Sequence, residues 1–520
     1  MEAALVSVIA ILGVLGLVAW LSSRLELPSP VLLALAGIAW ASAPALRPPH
    51  IDPHAILSLV LPPLLYHDAW FASWLDFRRW LRPILQLAVG LVLFTILVVG
   101  VVAKALIPEL PWAACFLLGA ILSPTDTVAT HSVLARLRVP RRVTAILGGE
   151  SLINDATGLL GVQLALVVLL TGAFELSSIG IGFARIAGLG LVVGLSVGGL
   201  AVVINRYLRG NQVLFAFSLF APYLAYGLAE SLHASGILAV VVAGFIASWR
   251  ANVLPPEARV SLTTSWRDVV FLLDGLMFLY IGLETPPALE AAFQRVPDIV
   301  PISLAVSGAV ILARVVWIFP GAYLPPRFLP RLRAKEGGYP NPRGVTLAAW
   351  CGVRGAVSLA AALALPEVAA DGSPFPGRLG IVACTLVVIL ITLIGQGLTL
   401  PLLVRWLGLK ADEATEAELR QAREALLRAG ISRLDGFCSE EQCPIAVYRY
   451  RDTMADQLAE LKSEDAAERE HASRRLAISA EVRRAVYAAQ SAELLRLRDQ
   501  ERINDVSHFE LQLELDRERA

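Results

Sequence analysis

The stretch Ser123-Pro124-Thr125-Asp126-Thr127 interrupts an apolar run, 112–134, that is long enough to cross a bilayer. A crossing helix needs ~20 apolar residues, yet this one carries a proline, three hydroxyls and a carboxylate near mid-depth. Pro124 has no N–H and clashes with the preceding turn, so the carbonyl near Ala120 loses its helical partner. In lipid a freed carbonyl is tolerated only where it faces protein or a water-filled cavity. The residues therefore predict a broken helix with hard oxygen donors and negative charge at the break, a cradle for a small hard cation. A plain proline kink whose polar groups satisfy one another is the alternative that this stretch alone leaves open.

Two further runs carry charge at membrane depth. In 143–170 stands Gly149-Glu150-Ser151-Leu152-Ile153-Asn154-Asp155, and in 344–365 stands Cys351-Gly352-Val353-Arg354-Gly355-Ala356-Val357-Ser358. Ionisable groups at that depth cost roughly 2.5–3.5 kcal/mol each, so each needs a partner or a task. Helical residues four apart stack on one face. Glu150 and Asn154 form one stripe, Ser151 and Asp155 another ~100° away. One stripe can face a cavity while the other ties the helix to its neighbours. Arg354 keeps its proton in any protein environment and must be paired. Glu150 is the partner we choose and Asp126 the rival, which leaves Asp155 free to take up and release a proton.

The 520 residues are 56% hydrophobic and 17% charged, with mean hydropathy +0.65. A soluble globular chain carries about 25% charged residues, so an ordinary soluble enzyme and a disordered chain are both excluded. Basic and acidic residues number 44 each, which gives a nucleic-acid partner no global attraction. The charges are unevenly placed. From Lys410 onward there are 18 basic and 24 acidic residues, whereas about 11% of the first 409 positions are charged. Residues 1–406 read as a transmembrane domain embedded in the lipid bilayer, and 407–520 as a water-solvated helical tail. Heptad-like apolar spacing at Leu458, Leu461 and Ala488–Leu497 supports helices there.

Breaking the apolar runs at Pro, Gly and Arg clusters gives about 13 transmembrane helices, the doubtful division lying at His233-Ala234-Ser235-Gly236. Odd-numbered connections hold 17 Lys/Arg and even-numbered ones four. Positive residues stay in the cytoplasm, so the N-terminus is expected outside and the tail inside. Spans five and twelve are each fifth in a set of six, with span seven between the sets. An all-α membrane protein of two inverted six-helix repeats follows, roughly 3–170 and 213–404. Broken helices at matching positions of such repeats mark a transporter site at the bilayer midplane. There is no phosphate-cradling Gly-rich loop, no zinc spacing and no nucleophile elbow. No enzyme chemistry and no cofactor are expected, and the five cysteines form no disulfide framework.

A carboxylate sequestered from water can be neutralised by a proton or by a monovalent cation. If only one fits at a time, the two compete for Asp155. A carrier that changes exposure only when the site is neutral then performs cation/proton antiport. A monovalent cation channel is the runner-up of another class, but channels usually present rings of like groups from several subunits.

The three motifs, together with Leu61-Pro62-Pro63-Leu64-Leu65, resemble those of the bacterial NhaP-type sodium/proton antiporters. These belong to the monovalent cation:proton antiporter-1 family, related to animal sodium/hydrogen exchangers. The resemblance implies an NhaA-like antiporter fold with a dimerisation domain and a moving core, a homodimer, and a plasma (inner) membrane location. It makes Asp155 the shared cation and proton site, with Asp126, Ser151 and Thr125 around the cation. Asn154 becomes a bridge beside that site, and Glu150 the salt-bridge partner of Arg354. An Asn-Asp pair implies electroneutral one-for-one exchange. The cargo implied is Na+, with Li+ or K+ left open. Some members carry a carboxylate after the Pro-Pro; here the chain reads Tyr66-His67-Asp68, so Asp68 or His67 is the vestibule candidate.

Other polar residues read more plainly. Asp268 and Asp274 could line a vestibule, and Asp274 stands where relatives often carry Asn. Glu230 and His233 read as outer-surface anchors, and His131 as a group that could tune the response to pH. Arg185 and Arg314 are expected to snorkel or pair locally.

Overall fold

The computed structural model describes residues 2–25, 27–43, 53–126, 130, 134, 139–171, 176–208, 210–249, 254, 256–296, 298–336, 338–368, 374–409, 413–437, 445–462, 466–500, 511, 512 and 515. Thr127, His131, Arg136, Arg138 and the tail stretch 503–505 lie outside them. Contacts divide the chain into two units, Met1–Lys410 and Ala411–Ala520. Among the described residues both are helical, apart from one isolated bridge between Val368 and Pro374.

The first unit begins with α1 (Glu2–Leu25), α2 (Ser29–Ala41), α3 (Pro53–Phe71) and the short α4 (Trp74–Arg79). Helix α5 runs Leu81–Leu106 with a π-helical turn at Gln86–Leu91. Then follow α6 (Trp112–Leu122), α7 (Arg141–Thr171), α8 (Leu176–Asn205), α9 (Asn211–Ser231), α10 (Gly236–Trp249) and α11 (Pro256–Phe293). Helices α12 (Ile299–Phe328), α13 (Pro330–Lys335), α14 (Pro342–Trp350) and α15 (Ala356–Leu363) lead to α16 (Arg378–Leu407). The division at 233–236 is a break between α9 and α10, with His233 at φ 52°.

Among the described residues, eight helices are long and apolar enough to cross a membrane: α1, α5, α7, α8, α9, α11, α12 and α16. Helices α2, α6 and α10 are shorter and equally apolar. The chain is an integral membrane protein. In lipid there is no hydrophobic gain from helix association, so close packing and polar ties must hold the crossings together. Helices α2 and α11 illustrate the first. A Cβ at Gly37 would lie 2.8 Å from the Cα of Gly282, so the two backbones touch where both residues are glycine. The largest buried apolar cluster surrounds the two breaks, drawing Leu117, Ile121 and Leu122 from α6, Phe278 from α11, Leu359 from α15 and Ile389 from α16.

Local sequence sets several helix starts. Asn341 caps α14 by accepting the Arg343 N–H at 3.0 Å, with Pro342 in the first turn, where its missing N–H costs nothing. Ser73 likewise caps α4, accepting from Asp76 at 3.2 Å.

The second unit contains α17 (Glu413–Asp435), α18 (Ile445–Lys462) and α19 (Ala466–Asp499). Ion pairs join them: Lys462–Glu424 at 3.1 Å, Arg451–Asp435 at 2.6 Å and Arg475–Asp456 at 3.1 Å. Exposed pairs of this kind contribute ~0.2–1 kcal/mol each.

Candidate functional site

The two helix breaks meet. Chain 123–126 leaves the helix after α6, and chain 351–355 links α14 to α15 without helical turns. The Asp126 N–H donates to the Val353 carbonyl at 2.8 Å, so the breaks share a backbone hydrogen bond. In a continuous helix that N–H would have gone to Leu122. The Leu122 carbonyl instead accepts from Arg354 Nε at 2.8 Å, while Arg354 Nη1 donates to the Gly352 carbonyl. Pro124 leaves the Ala120 carbonyl without its usual donor, and Ser123 replaces it through its N–H at 3.3 Å and its hydroxyl at 2.9 Å. Gly355 is fixed by close approach, because a Cβ there would fall on the Asp126 side chain.

Helix α7 passes beside this crossing and presents its two polar stripes differently. Glu150, 1% exposed, takes the guanidinium of Arg314 in a two-pronged pair, Nη1–Oε1 at 2.5 Å and Nη2–Oε2 at 2.9 Å. The Thr125 hydroxyl donates to Glu150 at 3.2 Å. Asn154, one turn on, donates its amide to the Thr125 hydroxyl at 2.7 Å and to the Thr125 carbonyl at 3.4 Å. This stripe ties α7 to the break and to α12.

The other stripe faces a cavity. Ser151 and Asp155 line it with Thr125 and Asp126 from the first break, Gly355 and Ser358 from the second, Asp68 from α3 and Asp274 from α11. Asp155 is 6% exposed and Asp68 considerably more, its side chain 36% exposed. Asp68 also lines a second, wider cavity with His67, Asp76, Arg141 and Thr144. His67 Nδ1 lies 3.2 Å from Asp68 Oδ1, and Arg141 pairs with Asp76 at 2.8 Å. Four carboxylates thus share one small space, and one of them connects it to a larger polar cavity. Such a space suits a hard monovalent cation or a proton.

The family profile described as "Sodium/hydrogen exchanger, transmembrane" matches residues 8–406. The chain belongs to this family. An uncharacterised Na+/H+ exchanger of Mycobacterium tuberculosis (strain H37Rv) is 33% identical over 99% of this chain and 95% of the relative. A sodium, potassium, lithium and rubidium/H+ antiporter of Bacillus pumilus is 30% identical over 81% of this chain and 64% of that protein. Among solved structures, the sodium proton antiporter MjNhaP1 of Methanocaldococcus jannaschii at pH 8 superposes with TM-score 0.60 and 21% identity, covering 76% of this chain and all of that one. That match shows the NhaP antiporter fold. As a family member the chain is a transporter of monovalent cations and protons, with an antiporter's helical fold.

Within that exchanger fold, the expected pair Glu150–Arg354 is corrected. Glu150 pairs with Arg314, and Arg354 donates from Nε and Nη1 to carbonyls. The reason lies in the breaks. Unwinding frees the Leu122 and Gly352 carbonyls within reach of Arg354, which satisfies both. Arg314, on the unbroken α12, is left for the carboxylate, and it also donates from Nε to the Ala348 carbonyl at 3.1 Å. Arg314 does not snorkel: it is 1% exposed. Its position near the middle of the apolar run 300–323 is the signal that could have found it. Asp274 is brought into the cavity with Asp155, whereas Asp268 is exposed.

Proposed function

We propose that this exchanger family member swaps Na+, with Li+ and K+ as alternatives, for H+ in a one-for-one, electroneutral cycle at Asp155. The observation that carries the proposal is the split of α7. Asp155 and Ser151 open to the cavity, while Asn154 is turned away and held by Thr125. One carboxylate per Asn-Asp pair is then available for loading. Asp126, Ser151 and Thr125 supply oxygens around the cation, and Asp68 with His67 forms the vestibule towards the wider cavity.

The cycle follows from electrostatics. An ionised Asp155, buried at 6% exposure, repels the neighbouring carboxylates and is poorly solvated. Neutralisation by H+ or by a dehydrated cation relieves both. A carrier whose empty, anionic form cannot switch exposure must return with one of the two cargoes. Binding of the cation requires the deprotonated carboxylate and releases its proton, so affinity falls as acidity rises.

We extend the proposal to the architecture. Two inverted repeats, roughly 3–170 and 213–404, are supported by the packing pairs. Helix α2 packs on α11, and α3 on α10. If the second and ninth crossings correspond, and the third and tenth, each pair maps on the other. Residues 1–406 form the transport domain and 407–520 the tail, cytoplasmic as the N-terminus is external, in a homodimer of the inner membrane.

Everted vesicles holding the protein and a preformed pH gradient test the central claim. Added Na+ or Li+ should collapse the gradient, and Asp155→Asn should abolish the response. Continued exchange by the Asn variant would refute the assignment. Cation flux without counter-movement of protons would make the protein a channel.

A further inference from the structure

A third cavity lies apart from the aspartate-lined one and carries Arg82 and Arg142 in its wall. It has a volume of ≈ 120 Å³ between α5, α7, α12 and α14. Its walls are apolar, with Leu87 from α5, Val143 and Ile146 from α7, Ile318 from α12 and Val345 from α14. Arg82 and Arg142 also line it.

The two arginines are engaged differently. Arg82 grips Glu336 through Nε–Oε1 at 2.6 Å and Nη2–Oε2 at 3.1 Å, and reaches Gln86 at 3.3 Å and the Gly321 carbonyl at 3.4 Å. Arg142 approaches the same carboxylate at 3.7 Å, beyond hydrogen-bond range, and lies over the Trp80 ring at 4.3 Å. The ring holds the guanidinium by cation–π attraction, and because Arg82 and Arg142 share the one Glu336 carboxylate, a net positive charge remains. Arg79 adds a further cation on the same ring at 5.2 Å. The site thus combines an apolar chamber, a half-buried guanidinium with charge to spare, and a position between crossing helices.

We infer that this cavity binds an anionic phospholipid, with part of one acyl chain against its apolar walls and the phosphate against Arg142. A free phosphate would leave the chamber unfilled, and a neutral lipid would leave the net positive charge unmatched. Basic pockets between transmembrane helices recognise anionic headgroups by this combination. The bound lipid would brace α7, which carries Asp155, against α14, which leads into the second break.

The test uses the full chain in neutral detergent. Its unfolding equilibrium is measured with added phosphatidylglycerol, phosphatidylcholine or inorganic phosphate. At a concentration ten times the dissociation constant, phosphatidylglycerol should shift the equilibrium about elevenfold towards the folded state. Arg142→Gln and Ala322→Phe, the latter filling the chamber, should each lose that shift. Arg142→Lys should retain most of it, which a mere folding defect would not allow. The inference is overturned if phosphatidylcholine matches phosphatidylglycerol, if inorganic phosphate alone reproduces the shift, or if both cavity variants respond like the unmodified protein.

Discussion

Replacing Arg314 by Met should cost roughly 3–5 kcal/mol of stability, because it leaves the Glu150 carboxylate buried without its cation. The structure supports the upper half of that range. Both residues are 1% exposed, and the two-pronged contact at 2.5 and 2.9 Å leaves no room for water to replace the guanidinium. Charge centres about 4 Å apart attract by about 4 kcal/mol at an effective dielectric of about 20. The folded population should therefore fall roughly a thousandfold to several thousandfold in a denaturant titration in mixed micelles. Adding Glu150→Leu should recover most of the loss, since a buried ion pair can be exchanged for apolar groups at little cost. About 1 kcal/mol should remain, from the Thr125 hydroxyl that loses its acceptor. The sign of the second substitution is what discriminates. In an Arg354→Met background, Glu150→Leu should destabilise further, because it orphans Arg314. Rescue of Arg354→Met by Glu150→Leu, without rescue of Arg314→Met, would refute the pairing described here.

Asn154→Leu should leave the Thr125 hydroxyl and carbonyl without their amide donor, costing about 1–3 kcal/mol and raising the KM for Na+ in vesicle assays. Gly355→Ala should push the Asp126 side chain from its place and lower exchange far more than it lowers the yield of folded protein, measured by size-exclusion chromatography beside vesicle activity. Asp274→Asn should weaken cation binding a few-fold with the maximal rate kept, since it removes one negative charge from the cavity wall. If H+ and Na+ compete for one carboxylate, the KM for Na+ should rise about tenfold per unit fall in pH in the range where that carboxylate is mostly protonated, and a pH-independent KM would exclude a shared site.

The breaks and the cavity-facing stripe were legible because each rests on local rules. A proline beside an aspartate in an apolar run, or an arginine between glycines, cannot be accommodated as ordinary lipid-facing helix. Residues four apart on α7 must share a face. What stayed illegible was which buried charge meets which. Glu150 had two arginines within reach, and sequence spacing carries no information about the rotation of α12 against α7. The choice of Arg354 overlooked a demand visible only after folding, that the carbonyls freed at the breaks also need donors. Asp274 was uncertain for the same reason. Which face of α11 turns to the cavity depends on its packing, including the contact with α2 at Gly37 and Gly282, and the sequence does not announce that contact.

The way those carbonyls are satisfied bears on why the site should exchange cargo and not conduct it. At the breaks the carbonyls of Ala120, Leu122, Gly352 and Val353 each accept from a protein donor. The crossing is thus held together by the chain itself and needs no cation to stay folded when the cavity empties. The residues that line the cavity include the carboxylate-bearing Asp68, Asp126, Asp155 and Asp274. A filter of backbone carbonyls can coordinate a cation but has no comparable affinity for a proton, so a proton could not take the cation's place there. A carboxylate accepts either. Committing Arg354 to the breaks, and Arg314 to Glu150, therefore keeps both permanent positive charges off Asp155. Were either guanidinium to swing onto Asp155, it would neutralise the group permanently, and neither Na+ nor H+ would be required to complete the cycle.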